Sequence, residues 1–405
     1  METRECQSGT RLSPAEARLL LLAACPAWSE AQRALAADLV PQVAQWPVFI
    51  DTARRKFALP MAYQNLATLA DTPLPEEVLA TLRTLSLQAT AEVLRQHAAF
   101  DWFHRNCVLP SGVSHAYFKG PALAAQFYPD PMQRFFRDVD ILVPARARIA
   151  LVDRMLELGC KVLHNGVSGR EFLSFRDATD LGDYLRVTDV PNLLTPQGLS
   201  VELHVQVDNH TLLFDTAALL NGAREVGLHQ NRIRVLAETD HVVYLCYHHT
   251  RHLWSKLNWV ADLAAVVTHP STDLAAIQAR ARAARLDNTV AAALELHELA
   301  ATARHFSTTV ENTPGRDLLR ACVDGLHGDL ALEAEMRQSQ RMGTIGFAWQ
   351  EQAVPMWRRP WLAFSRRMRP TYDDTVEIRG PRSIRYLWGI SRRVQRYVHR
   401  LTAGR

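Results

Sequence analysis

The sequence predicts an α+β protein in which a small mixed sheet with helices, over about residues 108–207, is flanked by helical regions on both sides. Three observations carry this. Apolar residues recur with a period near 3.6 over residues 75–107. The pattern then changes to short alternating or fully apolar stretches, clearest at 138–143 and 199–205. Helical spacing returns after residue 215. A length of 405 residues suits two or three domains. The expected division is an N-terminal helical region (1–107), a mixed core (108–207), a helical domain (208–350) and an Arg-rich C-terminal segment (351–405).

Taken in order, Ser13-Pro14-Ala15-Glu16 reads as a capping box with proline at the first helical position. Pro75-Glu76-Glu77 opens a long helix that runs without Gly or Pro to Cys107 and is broken at Pro110-Ser111-Gly112. His115–Phe118 is a short strand, Lys119-Gly120 a turn, and Pro121–Phe127 a short helix. Asp138–Val143 has the pattern of a strand that becomes buried, ended by Pro144. A helix is expected at 146–158 and strands at Cys160–Leu163 and Tyr184–Val187. A turn is expected from Pro191 to Gly198, then a strand over Leu199–Val205. Beyond residue 215 the pattern suggests helices over about 240–267 and 273–305, an irregular stretch at 353–382 and a basic helix at 383–401.

Composition excludes several classes. With 48% hydrophobic and 22% charged residues the chain is not wholly disordered, and 18 Gly with 20 Pro exclude a collagenous one. The six cysteines are scattered without a CxxC pair, which argues against a disulfide scaffold or a Cys-rich zinc site. Reduced buried thiols in a cytoplasmic protein are expected. No apolar run reaches the roughly 18 residues that span a bilayer, so no transmembrane segment is expected. Leu19–Cys25 resembles a lipoprotein cleavage box, but its apolar stretch is short and Glu16 and Arg18 crowd it. Residues 351–405 carry 13 Arg against four acids, a net +9 in a chain whose total is +4. That asymmetry suits an anionic partner.

The chemistry-bearing pattern is Asp138-x-Asp140. Residues two apart on a strand share a face, and two carboxylates there repel unless a cation lies between them. Hard ions such as Mg²⁺ take oxygen ligands and keep substrate phosphates as further ligands. Glu202 fits as a third acid, because Val201, Leu203 and Val205 occupy one face of their strand and leave Glu202 and His204 on the other. The plain alternative is a solvated strand edge. Phe118-Lys119-Gly120-Pro121 places a strand, a tight turn and a helix start upstream, where backbone N–H groups and Lys119 suit a phosphate. Further along, His248-x-x-x-His252 has the spacing of a metal pair but lacks a third ligand. Arg251 and Lys256 suit a triphosphate or an acceptor, or simply solvent. Asp262 would orient one of them or face water, and Trp254 and Trp259 belong in a core.

The stretches Phe118–Ala124, Tyr128–Pro131 and Arg137–Val143 resemble the signature of the uncharacterised bacterial nucleotidyltransferase family, related to the DNA polymerase β-like nucleotidyltransferases. Val201–His204 is similar to its third-acid strand. His248, Arg251, His252, Leu257, Trp259 and Asp262 are similar to its helical H-x-x-[KR]-H…L-x-W-x-x-D segment. The turn departs from the superfamily's usual Gly-Gly or Gly-Ser, and its gap to the acid pair is longer. The resemblance implies a polymerase β-like core, a nucleoside triphosphate donor and two divalent ions, Mg²⁺ with Mn²⁺ as a substitute. Asp138, Asp140 and Glu202 would be metal-binding and catalytic. Lys119, Gly120, Arg137, Arg251 and Lys256 would bind nucleotide. The expected reaction moves a nucleotidyl group from the triphosphate to an acceptor and releases pyrophosphate. The acceptor is left open among small molecule, protein and RNA. A catalytically silent scaffold that binds nucleotide, RNA or a partner protein is the competing reading. The Arg- and aromatic-rich tail, with Trp357, Trp361 and Trp388, suits RNA, an anionic membrane surface or an ordinary solvated face.

Overall fold

The computed structural model describes residues 11–69, 74–166, 169–208, 213–302, 313–326, 347, 349–350, 368–376 and 382–403. Its helices in chain order are α1 (Pro14–Ala23), α2 (Glu30–Leu39), α3 (Trp46–Arg55), α4 (Leu59–Leu66), α5 (Glu76–Phe103), α6 (Leu109–Ser111), α7 (Gly120–Phe127), α8 (Arg148–Glu157), α9 (Ala178–Val187) and α10 (Thr216–Gly222). They continue as α11 (Glu238–Arg251), α12 (Leu257–Thr268), α13 (Leu274–Ala283), α14 (Asp287–Thr302), α15 (Pro314–Leu326), α16 (Tyr372–Val376) and α17 (Arg382–Ala403). The strands are β1 (Ala116–Phe118), β2 (Asp138–Leu142), β3 (Lys161–Gly166), β4 (Gly169–Leu173), β5 (Asn192–Leu194), β6 (Ser200–His204), β7 (Arg224–Leu228) and β8 (Asn231–Val235). The mixed α and β content meets the expected class.

Two compact units divide the chain. The first comprises residues 1–94, 123–135 and 238–351, the second 95–122, 136–237 and 352–405. The first unit is helical. Ser13 caps α1 through a reciprocal capping box with Glu16, as the sequence indicates. Leu19, Leu20, Leu21, Leu22 and Ala23 are all buried, so the run that resembles a cleavage box forms a core helix. Cys25 lies at its end, where burial pushes its thiol up to about 12. Cys107, Cys160, Cys246 and Cys322 are buried and unbridged too, while Cys6 lies outside the described residues.

The second unit is built on an eight-stranded mixed sheet in the order β4-β3-β5-β6-β2-β1-β8-β7. β2 runs parallel to β6 and β1 parallel to β8, and the other pairings are antiparallel. Tyr117, Val139, Ile141, Val162, Leu193, Val201, Leu203 and Val235 are buried along it. In register, Tyr117 faces Ile141, Val139 faces Val201 and Ile141 faces Leu203, so these apolar side chains share one face of the sheet.

Several expectations are corrected. Tyr184–Val187, expected as a strand, closes α9. Asp177 caps that helix by accepting from the Thr179 and Asp180 amides, and Leu181, Tyr184 and Leu185 line its buried side. The expected turn at 191–198 contains β5 before Gly198, whose φ is +84°. The expected helix at 240–267 is two helices, because Leu253 and Trp254 take left-handed φ values of 56° and 50° between α11 and α12. Burial of Trp254, whose indole donates to Thr250 Oγ1 at 3.1 Å, holds that break. Likewise the stretch 273–305 divides at Arg285, φ 56°. The β7–β8 hairpin was not expected and turns at His229, φ 53°. The basic helix near 383–401 is present as α17. Most of 353–382, with Trp357 and Trp361, lies outside the described residues, though 372–376 forms α16 rather than irregular chain.

Candidate functional site

Strand pairing assembles the candidate site within the second unit. In the parallel β2–β6 register, Asp140 stands opposite Glu202, Leu142 opposite His204 and Asp138 opposite Ser200. On the other side of β2, Phe118 stands opposite Asp140. Paired positions project to the same side, so Asp138, Asp140, Glu202 and His204 share the sheet face opposite the apolar one. The chain turns sharply after β1: Lys119 has φ 61° and Gly120 φ +24°. A Cβ on Gly120 would meet the Asp138 carbonyl oxygen at 3.2 Å, so the turn passes close to the start of β2 and needs glycine there.

This turn delivers Lys119 to the acid. Lys119 Nζ donates to Asp140 Oδ1 at 2.8 Å, and the Asp140 side chain is only 3% exposed. His204 Nε2 lies 2.9 Å from the same oxygen and 3.5 Å from Glu202 Oε2, without a well-aligned hydrogen bond to either. The Phe118 ring meets the His204 ring edge-on at 5.0 Å. Ligand atoms of Asp140, Glu202 and His204 all lie within 4.8 Å of one another. Burial pushes the Asp140 pKa up, but Lys119 and His204 outweigh it and hold the carboxyl at about 2. Burial pushes His204 down, and contacts with Asp140 and Glu202 outweigh that and raise it.

The donor set of two carboxylates and an imidazole fits a hard or borderline divalent cation, which His204 would ligate as the neutral ring, while Lys119 is the charge partner of Asp140. Asp138 stands beside this group, exposed at the start of β2, and Arg137 precedes it, also exposed. His204 was not singled out as a site residue. Its signal was the Glu202-x-His204 alternation, which puts both side chains on one face.

Arg251, Lys256, His248 and His252 belong to the first unit. Arg251 lies over the Tyr247 ring at 5.5 Å. Lys256 immediately precedes α12, with its ammonium 4.8 Å from the Trp259 ring and 5.9 Å from Phe57. The His248 and His252 rings are 4.6 Å apart, and among the described residues they join no group of three ligand donors. Asp262 does not orient Arg251 or Lys256 as its main partner. It is buried and bound bidentately by Arg134, Nε to Oδ1 and Nη2 to Oδ2 at 2.8 Å each, and Tyr128 donates to Oδ1 at 2.7 Å. Trp254 is fully buried, whereas Trp259 is half-buried and stacks on His249 at 4.7 Å.

No curated protein matches this sequence. The profile of an uncharacterised nucleotidyltransferase family, in contrast, matches residues 42–301, a span that holds the β1 turn, both acid-bearing strands and the Arg134–Asp262 pair. That span is 260 of 405 residues, and the chain belongs to this nucleotidyltransferase family.

Proposed function

We propose that the protein transfers a nucleotidyl group from a nucleoside triphosphate to an acceptor hydroxyl on a polymerase β-like core, with Asp138, Asp140 and Glu202 as the acidic residues of the site. The observation that carries this reading is the convergence of buried, ionised Asp140 with Glu202 and His204, beside a lysine presented by the β1–α7 turn. Lys119 and the turn amides would hold triphosphate oxygens, with Arg137 as a further nucleotide contact. Glu202, half-exposed beside the buried Asp140, would accept the proton of the acceptor hydroxyl. The new bond forms between the acceptor oxygen and the α-phosphorus, and the bond from that phosphorus to the bridging oxygen breaks, so pyrophosphate leaves. Asp138, Asp140 and Glu202 would hold the divalent ions, with His204, beside Asp140 and Glu202, as a further candidate ligand. When bound, two Mg²⁺ ions would neutralise triphosphate charge and stabilise the attacking and leaving oxygens.

The test is a screen of the four nucleoside triphosphates, labelled separately at the α and γ phosphates, with Mg²⁺ and candidate small-molecule, protein and RNA acceptors. The expected product carries the α label, with the γ label released in pyrophosphate. Glu202→Gln should lower the rate by roughly a thousandfold or more with little change in triphosphate affinity. Transfer of the γ label instead would mark a kinase and end this reading.

A further inference from the structure

The C-terminal helix α17 presents the wrong face to solvent for an ordinary surface helix. Ile384, Leu387, Trp388, Val394 and Val398 are spaced along one stripe and are 54%, 65%, 46%, 43% and 51% exposed. The opposite side of the helix is the one that packs. Gly389 is buried, and a Cβ there would meet Pro370 Cβ at 2.8 Å. One turn on, Arg393 donates to buried Asp374 at 2.8 Å, and Asp374 also accepts from the Thr371 amide and hydroxyl. An amphipathic helix that only covers a core does the reverse, burying its apolar stripe and leaving its arginines in water.

We propose that this stripe lies on the surface of an anionic phospholipid bilayer. Charge selects the occupant. Arg382–Ala403 contains six arginines and no Asp or Glu, within a segment of net +9. A second copy laid against the stripe would bring the same charge alongside, with no acid in the helix to answer it. An anionic lipid surface supplies the missing negative charge and takes the apolar side chains into the boundary between headgroups and acyl chains. Trp388 and Tyr386 are half-exposed aromatics of the kind that settle at that depth. The helix would lie in the surface and not cross it, because no described helix is long and apolar enough to span a membrane.

Full-length protein should sediment with vesicles of phosphatidylcholine containing about one third phosphatidylglycerol, with affinity roughly tenfold or more above that for phosphatidylcholine alone, and added salt should release it. The doubly substituted Leu387→Glu, Val394→Glu protein should keep the wild-type melting temperature, since both side chains are exposed, and lose vesicle binding. Leu387→Ser with Val394→Ser is the milder pair and should weaken binding in the same direction. Quenching of wild-type tryptophan fluorescence by spin-labelled lipid, lost in part in Trp388→Phe, would place the stripe at the bilayer. Absence of binding, equal binding to neutral and anionic vesicles, or unaltered binding by both variants would overturn the proposal. So would a dimer in size-exclusion chromatography that the same substitutions convert to monomer.

Discussion

Burial raises the Asp140 pKa, so its low value depends on two neighbours, Lys119 in the turn after β1 and His204 on β6. The acid pair and Glu202 were legible in the sequence because a strand alternates its faces. Which carboxylate meets Glu202 was not. That depends on the β2–β6 register, which sets Asp140 opposite Glu202 and Asp138 opposite Ser200. The same unit offers a pH-dependent residue outside the site. His115 is buried ahead of β1, where desolvation lowers its pKa from 6.5 to about 4 and a contact between Nδ1 and the Val113 carbonyl only partly opposes this. With its folded value depressed, the unfolded chain takes up the proton first. Stability is therefore retained above pH 6.5 and lost as pH falls towards 4, by about 3 kcal/mol for a shift of this size. His115→Leu should flatten that loss when urea midpoints are compared at pH 7.5 and 4.5, and an unchanged slope would remove His115 as its source.

Elements with strong periodicity and clear ends were the readable ones: α1 with its capping box, α5, β2 and β6. The misread ones share a cause, namely that tertiary burial overrides local pattern. No Gly or Pro marks the α11–α12 break, yet burial of Trp254 holds two residues in left-handed conformations there. Tyr184 and Leu185 are strand-like by composition, but the Asp177 cap and a buried face of spacing three and four make them helical. Asp262 on α12 was legible as part of a motif, whereas its partner Arg134, 128 residues earlier, was not. Arg134→Ala would strand a buried carboxylate and should cost about 3–5 kcal/mol in urea denaturation. A loss below about 1 kcal/mol would show that Asp262 finds other partners at little cost.

At the scale of the molecule, each unit is assembled from separated stretches of chain. The chain passes between units inside α5 and again inside α7, so no boundary marked by composition corresponds to these crossings. The charge asymmetry, by contrast, was readable at once, and α17 carries six of those 13 arginines together with the exposed apolar stripe. The central proposal concerns the second unit: Asp138, Asp140 and Glu202, with His204 beside them, would form the divalent-ion site. Electron paramagnetic resonance titration of Mn²⁺ into the full-length protein tests it without knowledge of the acceptor. Wild-type protein should bind Mn²⁺ more tightly when a nucleoside triphosphate is present, and Asp140→Asn should weaken that binding by about tenfold or more while the protein stays folded. Binding by Asp140→Asn as tight as by wild type would contradict the claim.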